Sequence, residues 1–391
     1  MAKRARKAQR EKISLKMQLR HYYGYAEYYG GASPFTSLQI INGGAEAAED
    51  IDVVIEGEGG FLLPFSRHFD ELPFESAAEI AAADIASPLY LAELSQTQVV
   101  QVCVRALRGK ETLAEEKGEV TLLPLDMWCG RSGSAEQLAC FVRPRLADCL
   151  RILEEARAQL KKWEISCEWN GYAEGDKNKI RKMAAAVFAA VKKAAISKAG
   201  DSCDYAEPVP VARAGKLFKE KCASALELAL FFAACFESAG LHPVLALGEK
   251  SVACGVWLYD NCFADGASDD ISLLSQYISE GINNIAMFDA EDAFSGKNAN
   301  YTAAEKHFAR KCAEECYDTV IDVRRCRLAR VRPLPLKVKG ERGAELLGEE
   351  DTDLTAAPAD IAAGKTLAVD TKMTRNKQWE RRLLAPTLKN A

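Results

Sequence analysis

The chain has 391 residues, 48% of them hydrophobic, which is enough for two or three domains with real cores. Its 51 basic and 56 acidic side chains leave a net charge of −5, which excludes a uniformly basic nucleic-acid-binding surface. Even the apolar run from Leu226 to Ala239 is broken by Glu227, Glu237 and Ser238 and falls short of the roughly 18 residues of a spanning helix, so no membrane role is expected.

Residues 1–34 read as a basic helix and an aromatic connector. The first twenty positions hold eight Lys or Arg against one acid, Glu11, and suit a solvated helix or a phosphate contact. "HYYGYAEYYGGASPF" follows, and without a local basic groove its rings are expected to pack on the next domain rather than to stack on single-stranded nucleic acid. From 35 to 140 the signal is β: "FTSLQII", "IDVVIEG", "TQVVQVCVRAL" and "GEVTLLPLD" alternate or run apolar over strand lengths between turn residues. Short strands without long helices predict an antiparallel β-sandwich of immunoglobulin-like type. His68 in this part reads as a surface or half-buried residue.

The period changes in residues 141–335. Leu146, Leu150, Leu153, Ala156, Leu160 and Trp163 recur every three or four places, as do Ile180, Met183, Val187 and Val191 after a capping Asp176 or Asn178. Ser224-Ala-Leu-Glu227 is a capping-box pattern that starts a third, almost wholly apolar helix, closed by Gly240 and Pro243. "VLAL", "VACGVWLYD" and "NNIAMFDAE" read as strands, "TAAEKHFARKCAEE" as a helix, and "YDTVIDVRRCRLARV" as a final long strand. The predicted class is α+β, with a β-sandwich ahead of an α+β domain built on one buried helix. Residues 336–371 read as an acidic linker whose "AAGKT" lacks the glycine of a phosphate loop, and residues 372–391 as the start of a truncated further helix.

Thirteen scattered cysteines with no secretory signal read as reduced cytoplasmic thiols. There is no Cys-x-x-Cys pair, and Cys312 with Cys316 has no companion pair, so neither a metal nor another cofactor is expected. Cys222, just ahead of the buried helix, is a candidate nucleophile because a helix start lowers a thiol pKa and offers amides to an oxyanion. It needs a base, and the four histidines, His21, His68, His242 and His307, do not lie on the strands that follow that helix. Arg324, Arg325, Arg327 and Arg330, in the basic run Arg324 to Arg342, are candidate nucleic-acid contacts, or else the solvated face of a strand.

Several segments in order, "GYAEGDKNKIRKMAAAVFAAVKKAAISK", "LELALFFAACFESAGLHPVLAL", "GVWL", "VIDVRRCRLARVRPLPL" and the terminal "WERRLL", together with "FVRPR" at Phe141 to Arg145, resemble the region before the motor in large bacterial superfamily-one helicases. The resemblance implies a transglutaminase-like fold in the α+β part, and a setting in DNA processing or phage defence. It also implies where the chemistry would lie. Family members read Gly-Thr-Cys-Leu-Asp-Leu at the helix start, which places Ala225 at the cysteine position. Their Gly-His-Ala-Phe-Val-Gly-Val-Trp-Leu strand places Ser251 at the histidine position, and Asp260 or Asp265 is the surviving nearby acid. The resemblance therefore implies a pseudoenzyme, a non-catalytic accessory region that binds a protein or peptide partner. Two alternatives stay open: a cysteine hydrolase using Cys222, and a nucleic-acid-binding module using the basic run.

Overall fold

Strand β1 (Ile13–Leu19) opens the part of the chain that a computed structural model describes, residues 12–340 and 343–347 apart from positions 132, 166–168, 170, 201–204, 212–215 and 280. It corrects the expected amino-terminal helix. Ile13, Leu15, Met17 and Leu19 alternate with Ser14, Lys16 and Gln18, and this period of two puts the apolar set inward against a neighbouring strand despite the basic surroundings. The more basic residues 1–11 lie outside the described residues.

After β2 (Tyr22–Gly24) and α1 (Tyr25–Tyr29) come β3 (Phe35–Asn42), β4 (Ala48–Gly57), β5 (Phe65–Leu72) and β6 (Ser76–Glu79). Helix α2 (Pro88–Glu93), β7 (Gln98–Arg108), β8 (Glu111–Leu123) and β9 (Met127–Trp128) complete this half. One sheet has the order β2-β8-β7-β4-β5 and another the order β1-β3-β6. The two approach closely where β1 meets β8: a Cβ on Gly118 would stand 2.9 Å from both the Leu19 and Met17 side chains. Tyr23 and Tyr25 of the connector are buried, and Tyr25 stacks on Tyr29 at 5.8 Å, so these rings pack on the protein. β5 and β6 carry no clear strand period in the sequence because they are edge strands with mostly exposed, polar or small side chains.

The second half contains α3 (Ala147–Lys162), α4 (Lys177–Lys193), β10 (Ser197–Lys198), β11 (Val209–Pro210), α5 (Lys216–Glu220), β12 (Cys222–Ala223) and α6 (Ala225–Ser238). Then follow β13 (Pro243–Leu247), β14 (Val252–Trp257), β15 (Ala267–Ser268), α7 (Ser272–Ile278), β16 (Ile285–Asp289), α8 (Tyr301–Ala313), β17 (Thr319–Asp322) and α9 (Val323–Leu328). A hairpin of β18 (Leu336–Gly340) and β19 (Gly343–Leu347) occupies the first part of the expected linker; the "AAGKT" and "WERRLL" segments lie outside the described residues. The architecture is α+β, and no helix among the described residues is long and apolar enough to cross a membrane.

The antiparallel sheet β15-β17-β13-β14-β16 is covered on both faces, which is why its central strands β13 and β14 are apolar throughout. Leu245, Leu247, Val252, Cys254, Val256 and Phe288 share a core with α6, while Val244, Ala246, Ala253, Trp257, Ile285 and Met287 pack with Leu274 of α7 and with Phe308 and Cys312 of α8. The first of these cores includes residues from Leu15 to Leu334, on both sides of the division expected near residue 140.

The expected final strand is the other correction. The Asp322 Oδ1 atom accepts the Arg325 amide at 2.8 Å and starts α9, which ends the strand after four residues. The helix turns Arg327 inward. Its guanidinium donates to Glu237 Oε1 at 2.8 Å and Oε2 at 2.9 Å, and to the carbonyls of Ala139, Val142 and Val331 at 3.0, 2.8 and 2.9 Å. It thus ties α6 and α9 to the 3-10 turn Ala135–Phe141. Arg327→Met leaves Glu237 and three carbonyls short of a donor and is expected to cost about 3 kcal/mol in denaturant unfolding. Adding Glu237→Gln should cost much less than the sum of the single changes; additive losses would mean the pair is not coupled.

Candidate functional site

The start of α6 is built by local chemistry. Ser224 Oγ accepts the Glu227 amide at 3.2 Å and Glu227 Oε2 accepts the Ser224 amide at 2.7 Å, the reciprocal cap expected from the sequence. At the other end Gly240 takes φ +75°, the left-handed turn that closes the helix. Strand pairing gathers further residues at the α6 start: Leu247 opposes Val252 and Ala253 opposes Asp289, so Ser251, Asp289 and the 3-10 turn Ala290–Ala293 share one end of the sheet. That turn packs on α6, and the β10–β12 pair lies beside it, with the Ser295 amide donating to the Ile196 carbonyl at 2.8 Å.

Ala225 is buried in the first turn of α6, and its methyl offers no chemistry. Ser251, 8% exposed, stands immediately before β14, and its carbonyl accepts the Gly248 amide at 2.8 Å. Cys222 is half-buried in β12, opposite Ser197 of β10, and so lies in a strand pair ahead of the cap. Asp265 is exposed.

Two paired acids at this end were not singled out in the sequence. Asp289 is completely buried, and its Oδ2 accepts Lys311 Nζ at 2.5 Å and the Tyr317 hydroxyl at 2.6 Å. Burial, then the Asp289 charge, pushes the Tyr317 phenol far above its usual range and keeps it a donor. Asp292 Oδ2 lies 2.7 Å from His307 Nδ1. The signal lay in two spacings: His307 and Lys311 are four apart on one face of α8, and Asp289 and Asp292 are three apart where β16 passes into its turn. His307–Asp292 is a base with an orienting carboxylate, but the described hydrogen bonds of His307 do not reach Cys222.

The remaining candidates collect at the opposite end of α6. His242 Nε2 lies 3.1 Å from Asp260 Oδ1, and Arg324 bonds both groups. The Tyr172 ring lies tilted against His242 at 4.5 Å, and its hydroxyl accepts the His242 amide at 2.9 Å and donates to the Trp257 carbonyl at 2.8 Å. Burial and the Arg324 charge push the His242 imidazole down to about 4. Asp260 is opposed by burial, yet Arg324 and His242 hold its carboxyl below the usual range. Of the four arginines proposed to meet nucleic acid, Arg324 and Arg327 are engaged within the protein while Arg325 and Arg330 are exposed. Among the described residues, no group of three or more His, Cys, Asp or Glu is placed to hold a metal ion.

Lys311→Met strands a buried carboxylate and should destabilise the protein by about 3 kcal/mol, with part of the loss recovered by adding Asp289→Asn; a loss below about 1 kcal/mol would overturn the pairing. His242 should stay neutral in nuclear magnetic resonance titrations down to about pH 4. Its folded pKa lies below the unfolded value of about 6.5, so its contribution to stability is complete above pH 6.5 and is lost as pH falls toward 4. His242→Asn should flatten that part of the stability profile, and titration near 6.5 would contradict the burial argument. No family model matches the chain, nor does any curated protein or solved structure.

Proposed function

We propose that the chain is a non-catalytic binding region, built on an immunoglobulin-like sandwich and a transglutaminase-like framework, and serving as an accessory to a bacterial helicase-type, DNA-processing protein. The observation that carries this reading is the pairing of an alanine and a serine at the two places where the resemblance implies a cysteine and a histidine. Ala225 occupies the first turn of α6 and Ser251 the entry to β14, both buried at one end of the sheet. The acid on the neighbouring strand is Asp289 rather than Asp260 or Asp265, and it is bound by Lys311 and Tyr317, so it orients no base. A framework of this kind keeps its cap and core because they stabilise the fold, and the partner it serves is a peptide or protein that docks beside the helix start.

The hydrolase reading draws on the His307–Asp292 pair and a half-buried Cys222. Iodoacetamide labelling of Cys222, read by peptide mass spectrometry, separates the two. Under the binding reading Cys222 is labelled no faster in the native chain than in the unfolded one, and His307→Gln changes nothing. Labelling about tenfold faster in the native chain, and lost in His307→Gln, would replace the binding reading with the hydrolase. The nucleic-acid reading has support from Arg325 and Arg330 alone among its four named arginines, since the other two hold Asp260 and Glu237.

A further inference from the structure

Away from the α6 start, the carboxyl-terminal turns of α4 face the beginning of α8 across a cavity of about 560 Å³, a size suited to a small molecule. Its apolar wall consists of Trp163, Phe188, Ala185 and Ala189. The two alanines are four apart on α4 and so lie on one helix face, where their small side chains leave a slot alongside the aromatic rings. Trp163 is among the few large apolar side chains left well exposed, at 41%.

The polar end of the cavity carries a cation whose bonds go to neutral groups. Lys192 Nζ donates to the carbonyl of Asp292 at 3.2 Å and to that of Ala299, and it lies 5.7 Å from the centre of the Phe188 ring. An ammonium has three donors, so among the described residues one is left over. The Asp292 carboxylate is taken by His307, and Lys193 is drawn off to Glu155 at 3.0 Å. Burial pushes the Lys192 ammonium below its usual range against the opposing Asp292 charge, and its hydrogen bonds among the described residues are to carbonyls.

The first turn of α8 adds to this field. Asn300 Oδ1 accepts the Ala303 amide at 2.8 Å, while the amides of Tyr301 and Thr302 have no intrahelical acceptor, and all three of Asn300, Tyr301 and Thr302 line the cavity.

We propose that this cavity binds a flat aromatic carboxylate, with its ring in the slot lined by Trp163, Phe188, Ala185 and Ala189 and its carboxylate on Lys192 at the start of α8. The site is separate from the α6 start and does not depend on how that end of the helix is read. Isothermal titration of the full chain with indole-3-acetate and with its neutral counterpart indole-3-ethanol tests the assignment. The acid should bind at one saturable site about tenfold more tightly than the alcohol. Lys192→Met should bring the acid down to the affinity of the alcohol. Ala189→Trp, which fills the slot and leaves Lys192 in place, should abolish binding of both probes without lowering the melting temperature. The assignment is overturned if neither probe binds, if the alcohol binds as tightly as the acid, or if folded Ala189→Trp protein binds both at full strength. Should Lys192→Met fail to fold, the comparison of the two probes on the native chain and the Ala189→Trp result decide the matter.

Discussion

Between Leu228 and Phe236, helix α6 has no polar residue, so every side of it has to be kept from water. The five-stranded sheet covers one side, and α3, α4 and the turn after β16 cover the others. Polar chemistry is thereby driven to the two ends of the helix. The capping box stands at the start, with Ser251 and the turn beyond Asp289 beside it; Glu237, Arg327, His242, Asp260 and Arg324 gather at the finish. What this half of the protein is able to do is set by those two ends.

The ends are organised differently. At the finish, the arginines are spent on structure: Arg327 saturates a carboxylate and three carbonyls, and Arg324 holds a neutral histidine and an acid together. At the start, the buried acids are matched one to one, Asp289 by Lys311 with Tyr317, and Asp292 by His307. A buried carboxylate is tolerable only when paired and hydrogen-bonded, so these partners are dictated by desolvation and require no catalytic purpose. The same accounting singles out Lys192, whose hydrogen bonds among the described residues are to carbonyls in place of a carboxylate.

The two cores on either face of the sheet follow from strand period alone. In β14, Val252, Cys254 and Val256 face α6, while Ala253 and Trp257 face α7 and α8, because successive side chains point to opposite sides. In β1 the same rule holds: Ile13, Leu15, Met17 and Leu19 occupy alternate positions, the single lysine, Lys16, falls on the outward set, and β3 is available to pair with the strand.

Local signals were sufficient for elements whose stabilising contacts are local. The Ser224–Glu227 cap, the Gly240 stop, the α3 and α4 stripes and the apolar strands β13, β14 and β16 all involve residues within a few positions of each other, and each was legible in the sequence. The helix α9 was not, because "TVIDVRRCRL" suits a strand by composition, and its turn into a helix rests on Asp322 being held by Trp257 and Phe263, some sixty residues away. Nor were the pairs His307 with Asp292, Lys311 with Asp289 and Arg327 with Glu237, which join residues 15, 22 and 90 positions apart. Sequence by itself determined the periods, caps and apolar runs; tertiary structure alone decided which charges meet, because only the closed chain removes them from water and makes each one need a partner.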